Sequence, residues 1–181
     1  MRALVVYESM FGNTETIARA VADGLGERYD VTTVEVGSAP ARLPDDVALL
    51  VAGGPTHAMG MTRPATREQA AEQLTEQPAE AGHTGLVSRG RGLREWLAEL
   101  EPGASLPAAT FDTHVDKRFP GSASHAARRR LRSLGYDVRR AESFHVSGTT
   151  GPLTDGEPAR ARAWAAQLAA QLAPAREGSG G

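Results

Sequence analysis

The chain of 181 residues has no cysteine. That excludes disulfides, thiolate metal sites and cysteine nucleophiles, and it fits a reducing compartment. It also lacks a dominant charge. Formal net charge is -2, so the molecule as a whole is neither a basic nucleic-acid binder nor strongly acidic. Long apolar runs are missing as well. Those present fall far short of the roughly 20 residues a membrane span needs. The first, Ala3–Tyr7, is cut off at once by Glu8, which does not read as a secretory leader. The expectation is a cytoplasmic protein that binds neither membrane nor nucleic acid. No set of His, Asp and Glu has metal-ligand spacing, so no metal site is expected.

What is present is 40% hydrophobic residues, enough for one core. One domain is expected over residues 1–173, with PAREGSGG (174–181) as a disordered tail. Residues 3–7 (ALVVY) and 47–54 (VALLVAGG) are continuous apolar runs of the kind buried on both faces of a parallel sheet. Residues 29–37 read as an edge strand. Further strands are expected at 106–112 and 139–146. Between them, Ile17, Ala18, Val21 and Leu25 recur at helical spacing, with Gly24 and Gly26 weakening that helix's end. Leu93, Trp96, Leu97 and Leu100 do the same over 91–100. Helices are also expected near 65–77, at about 122–135, and after TDGE (154–157), a capping-box pattern. Both tryptophans, Trp96 and Trp164, fall on apolar helix stripes and read as core. The alternation predicts an α/β fold: a doubly wound five-stranded parallel sheet in the order 2-1-3-4-5, with an insertion after the third strand at about 63–90. Ligands in such sheets sit beyond the carboxyl ends of the strands.

The stretch Glu8-Ser9-Met10-Phe11-Gly12-Asn13-Thr14 lies between the first strand and the first helix. A helix N-terminus offers unpaired N–H groups and a partial positive charge. Ser9, Asn13 and Thr14 add polar side chains, and Gly12 allows close approach. This chemistry suits a phosphate with no lysine. It equally suits a capped turn with no ligand. GxxxxGK[ST] and a GxGxxG after the strand are both absent, which argues against an ATPase and a Rossmann dinucleotide site.

Val5-Val6-Tyr7-x-Ser9-x-x-Gly12-x-Thr14-x-x-x-Ala18-x-x-Val21 resembles the FMN-phosphate signature of flavodoxins. SMFG is similar to the quinone-reductase branch of the same flavodoxin-like superfamily. GGPTHAMGM (53–61) and FDTHVDKRFPGSA (111–123) resemble the two loops that cover the flavin. The resemblance implies that Ser9, Met10, Phe11, Gly12, Asn13 and Thr14 hold the FMN phosphate. It implies that Pro55, Thr56, His57, Ala58, Met59 and Gly60 line one side of the ring, and Thr113, His114 and Phe119 the other. His57 and His114 are the candidates for steadying or protonating a reduced group, since imidazole titrates near neutrality. Each also reads as a loop histidine with a local hydrogen bond. Gly60 reads either as a plain turn glycine or, by resemblance, as a peptide able to turn toward the flavin.

The resemblance is incomplete. Phe11 replaces a hydroxyl residue, and no Trp or Tyr lies in either flavin loop. Arg63, Arg67, Lys117 and Arg118 are set against Asp112 and Asp116, which predicts a less negative two-electron potential than a flavodoxin has. Arg63, Arg67, Arg89, Arg91 and Arg94 are candidates for holding an anionic second substrate, or a solvated surface. Arg128, Arg129, Arg130 and Arg132 read as a solvated helix face with Glu partners. The expected function is an FMN oxidoreductase of the NAD(P)H:quinone-reductase kind, moving two electrons through the flavin to a small acceptor. The alternative is a non-catalytic FMN electron-transfer protein that docks on a redox partner. Oligomeric state is left open.

Overall fold

The computed structural model describes residues 1–57, 60–76, 88, 90–115 and 121–172. The elements run β1 (Arg2–Tyr7), α1 (Asn13–Leu25), β2 (Asp30–Glu35), a short 3-10 turn (Val36–Ser38), β3 (Val47–His57), β4 (Gly60–Met61), α2 (Pro64–Glu76), α3 (Leu93–Glu99), β5 (Pro107–Val115), α4 (Ala123–Ser133), β6 (Asp137–Val146) and α5 (Glu157–Leu172). The sheet order is β2-β1-β3-β5-β6, with all four of these pairings parallel. The five long strands thus take the expected 2-1-3-4-5 order. The sixth, β4, folds back antiparallel on β3, pairing Thr56 with Met61 and His57 with Gly60. Residues 53–57 therefore belong to β3 and 60–61 to β4 rather than to a loop, and 111–115 likewise belongs to β5.

Period-two alternation splits the core between the two faces of the sheet. Ala3, Val5 and Tyr7 join Leu49, Val51, Phe111 and Phe144 under Ile17, Val21, Trp164 and Leu168 of α1 and α5. Leu4, Val6, Leu50 and Ala52 pack on the opposite face with Leu93, Trp96, Leu97 and Leu131 of α3 and α4. Both tryptophans are core, as expected. Gly24 does more than weaken α1. A Cβ there would lie 2.2 Å from the Arg162 carbonyl oxygen of α5, so the two helices meet where a side chain is missing.

One local expectation needs correction. TDGE does not form a capping box. Glu157 is the first residue of α5, and its carboxylate accepts the His145 N–H at 2.9 Å instead of returning to Thr154. Within the proposed insertion, α2 fills Pro64–Glu76, where a helix near 65–77 was expected. Ser88 is buried and pairs with Ser9 in both directions: Ser88 N–H to Ser9 O at 2.8 Å, and Ser9 N–H to Ser88 Oγ at 3.0 Å. Residues 77–87 and 89, and the tail expectation at 174–181, lie outside the described residues.

Candidate functional site

The parallel sheet sends the carboxyl ends of β1, β3, β5 and β6 to one edge, and a cleft opens there. Its lining joins Met10, Phe11, Asn13 and Thr14 to Pro55, Thr56, His57, Thr113 and His114. Val115, within the 111–123 stretch expected to cover the flavin, completes it with two residues not foreseen, Val146 and Thr149. The only sequence hint for the β6 side was SGTTG (147–151), a polar glycine-bracketed turn at the right end of a strand.

The β1–α1 turn is built around Gly12, whose φ of 84° is left-handed and favours glycine. Ser9 Oγ accepts the Gly12 N–H at 3.1 Å and the Glu15 N–H at 3.3 Å. Thr14 and Thr113 join hydroxyls at 2.7 Å. Asn13 Nδ2 donates to the Thr150 carbonyl at 2.9 Å, tying α1 to the turn after β6. The expected polar side chains are thus already engaged with one another. The first-turn N–H groups of Asn13 and Thr14 form no hydrogen bond among the described residues. The open donors here belong to the main chain, as unpaired helix N-termini require.

Across the cleft, Asp112 is fully buried. It accepts from Thr56 Oγ at 2.8 Å, Ser122 Oγ at 2.5 Å and the Ser124 N–H at 3.0 Å, and lies 3.3 Å from His114 Nδ1. Burial alone would raise its pKa. Hydrogen bonds, from His114 first, outweigh that and bring it down to about 2. The sequence reading counted Asp112 only as one charge among several. Only strand register and the Ser-x-Ser at 122–124 could have shown that it sits under the cleft with this many donors. Thr56, expected to face the ring, instead bridges Asp112 and the Ala123 N–H, which it accepts at 2.7 Å. His57 Nδ1 is buried without a partner among the described residues. The His114 and His145 rings meet edge to face, 5.0 Å apart. Gly60 lies opposite His57 in β4. Ala58, Met59 and Phe119 lie outside the described residues.

The arginines expected to hold a second anion are mostly committed elsewhere. Arg67 is buried against Glu95 at 3.0 Å and Glu8 at 3.9 Å. Arg91 pairs with Glu99 at 2.6 Å and bonds the Val36 and Ala39 carbonyls. Arg94 donates to the Met61 and Thr62 carbonyls. Arg63 is exposed, and Arg89 lies outside the described residues. Arg67 therefore brings no net positive charge toward the cleft. Glu8, fully buried behind the phosphate-type turn, accepts from Thr62 Oγ and from the Leu93 N–H at 2.8 Å. Burial raises its pKa, and these bonds with Arg67 offset the rise only in part.

With this geometry in place, comparison with known proteins is decisive. The family model for flavodoxin matches residues 5–96. The chain belongs to the flavodoxin family. No curated protein matches the chain. Among solved structures, it is similar to the oxidised Flavodoxin 2 of Bacillus cereus, with 18% identity and a TM-score of 0.64 over 94% of this chain and 99% of that one. It is similar to the Streptococcus pneumonia TIGR4 flavodoxin, with 19% identity and a TM-score of 0.63 over 95% and 100%. A flavodoxin from the domain Archaea is similar at 18% identity and a TM-score of 0.60 over 95% and 99%. At these identities the likeness shows the fold.

The flavodoxin family implies FMN as cofactor, and the cleft has the chemistry to hold it. A phosphate needs N–H donors, and the start of α1 leaves them open. A flavin needs apolar walls with a few polar groups, and Met10, Phe11, Pro55, Val115 and Val146 stand beside the unbonded His57 Nδ1. Among the described residues no helix is long and apolar enough to cross a membrane.

Proposed function

We propose that this flavodoxin-family chain is an FMN oxidoreductase that passes electrons in pairs to a small acceptor, in the cytoplasm. The phosphate is held at the N-terminus of α1 by the N–H groups of Asn13 and Thr14. Ser9, Met10, Phe11 and Gly12 shape the turn beneath it. Pro55, His57 and Gly60 border one side of the ring, and Thr113 and His114 the other. FMN, when bound, supplies reversible storage of two electrons.

The observation that carries the reading is the Asp112–His114 pair in the same cleft as the open helix N-terminus. A carboxylate kept ionised beside Nδ1 favours the protonated imidazole. When protonated, His114 favours negative charge on whatever is reduced beside it. His57 stands on the opposite side, where its buried Nδ1 has no partner among the described residues and could bond a ring atom. The potentials of an acid-lined flavodoxin would be set in the opposite sense.

The test is a spectroelectrochemical titration of the FMN-loaded protein and its His114→Gln variant. The reading predicts uptake of both electrons over one narrow potential range, with the midpoint moving negative in the variant. Two one-electron steps far apart, the second very low and unchanged by the substitution, would favour the carrier reading instead.

A further inference from the structure

Helix α4 reads ASHAARRRLRS and carries no acidic residue. The expected Glu partners of its arginines are not there. Among the described residues, Arg128, Arg129, Arg130 and Arg132 form no ion pair. Arg130 donates to the Leu97 and Ala98 carbonyls, and Arg132 to the Val138 carbonyl. Bonds to neutral carbonyls fix a guanidinium but leave its charge in place. The Arg129 side chain is exposed and makes no bond among the described residues.

The neighbouring helix segregates its charges. On α3, Glu95 and Glu99 turn to Arg67 and Arg91, and are neutralised there. Arg94 and Ala98, one turn apart, face α4 instead. Together Met61, Arg94, Ala98, Arg129, Arg130 and Ser133 line an open groove between the two helices. Met61 is also the partner of Thr56 in the hairpin that walls the cleft. A basic groove thus lies on the α3–α4 face, one strand pairing away from the wall of the proposed FMN site, on a molecule whose net charge is -2. The excess acid lies elsewhere.

We propose that the α3–α4 face docks an acidic redox protein, which is the electron donor to this site. The inference rests on the FMN reading above. Charge complementarity selects the partner: three guanidiniums without carboxylate partners attract an Asp/Glu-rich surface and orient it at the hairpin. Electron balance is simple. Two reduced one-electron donor molecules each lose one electron, FMN gains both, and its protons come from solvent. A nucleic acid would also meet arginines, but among the described residues the groove is lined by no aromatic side chain on which bases could stack.

The experiment uses the FMN-loaded chain and reduced plant-type [2Fe–2S] ferredoxin, an acidic one-electron donor, in stopped flow. Three proteins are compared: the unaltered chain, Arg129→Glu, and Arg162→Glu. Arg162 is exposed on α5, on the other face of the sheet, and its reversal changes net charge by the same amount. The expected result is a rate that falls as salt rises from about 0.01 to about 0.3 M, where screening shortens from about 30 Å to below 10 Å. Arg129→Glu should slow reduction about fivefold at low salt, and Arg162→Glu should leave it within a factor of about two. As a charge probe, reoxidation by ferricyanide, a trianion that takes one electron per ion, should follow the same order. Equal slowing in both variants would mean that only net charge matters, and would overturn the docking face. So would tighter binding of duplex DNA than of ferredoxin, lost in Arg129→Glu. A chain that takes up no FMN overturns both readings; a flavin-loaded chain indifferent to Arg129 overturns only this one.

Discussion

Glu8 and Asp112 are both fully buried carboxylates near the carboxyl edge of the sheet, one behind the β1–α1 turn and one beneath the opposite wall of the cleft. Their electrostatics run in opposite directions. Glu8 has two hydrogen-bond donors and a guanidinium at 3.9 Å, and burial wins: its pKa rises. Asp112 has three donors beside the ring nitrogen of His114, and the hydrogen bonds win: its pKa falls to about 2. Depth alone does not decide whether a carboxylate stays charged; the number of donors does. The placement matches the proposed function. Negative charge is discouraged behind a phosphate seat and maintained beside a histidine.

Asp112 titrates below its ordinary 3.8 in the folded chain, so its contribution is present above about pH 4 and is lost as pH falls toward about 2. A shift of this size corresponds to about 2 kcal/mol. Glu8 titrates above its ordinary value. Its contribution is full below about pH 4.5 and is lost as pH rises through its folded pKa.

The largest expected effect breaks the contrast on the Asp112 side. Asp112→Asn turns an amide N–H₂ toward donors and should destabilise the chain by about 3 kcal/mol in urea unfolding at pH 7. The loss should shrink at pH 3, because the acid in the unaltered chain is weakening there. Next comes Thr62→Val, which takes away one of the two donors to Glu8 among the described residues and an acceptor of Arg67. About 2 kcal/mol is expected, with a further rise in the Glu8 pKa read by carboxyl NMR titration. Ser122→Ala removes one donor from the better-supplied Asp112, together with the α4 N-cap bond to the His125 N–H. About 1 kcal/mol is expected, less than Thr62→Val although more bonds are cut. Smallest is Glu8→Gln, within about 1 kcal/mol, its stability relative to the unaltered chain improving from pH 4 to pH 7. Reversal of the middle two would show that donor count does not govern these sites.

Strand order was legible because apolar runs separated by helical periodicity leave few topologies. The seat at the start of α1 was legible because its signals are local: a strand, a glycine and hydroxyls in seven residues. What stayed hidden depends on contacts between distant segments. Asp112 meets Thr56 and Ser122, Ser9 meets Ser88, and Asn13 meets Thr150 only once the sheet has formed. The arginines misled for the same reason. Whether Arg67 faces an anion or Glu95, and whether Arg129 has a Glu beside it, is decided by helix packing and not by composition.

The central claim is a phosphate seat made of main-chain N–H groups at the start of α1. Its most direct test is calorimetric titration of the FMN-free chain with FMN and, separately, with riboflavin, which has the same ring and no phosphate. The account predicts that FMN binds at least about a hundredfold more tightly, the sum of two charge-assisted hydrogen bonds of modest net strength. Equal affinities, or no heat with either, would contradict it.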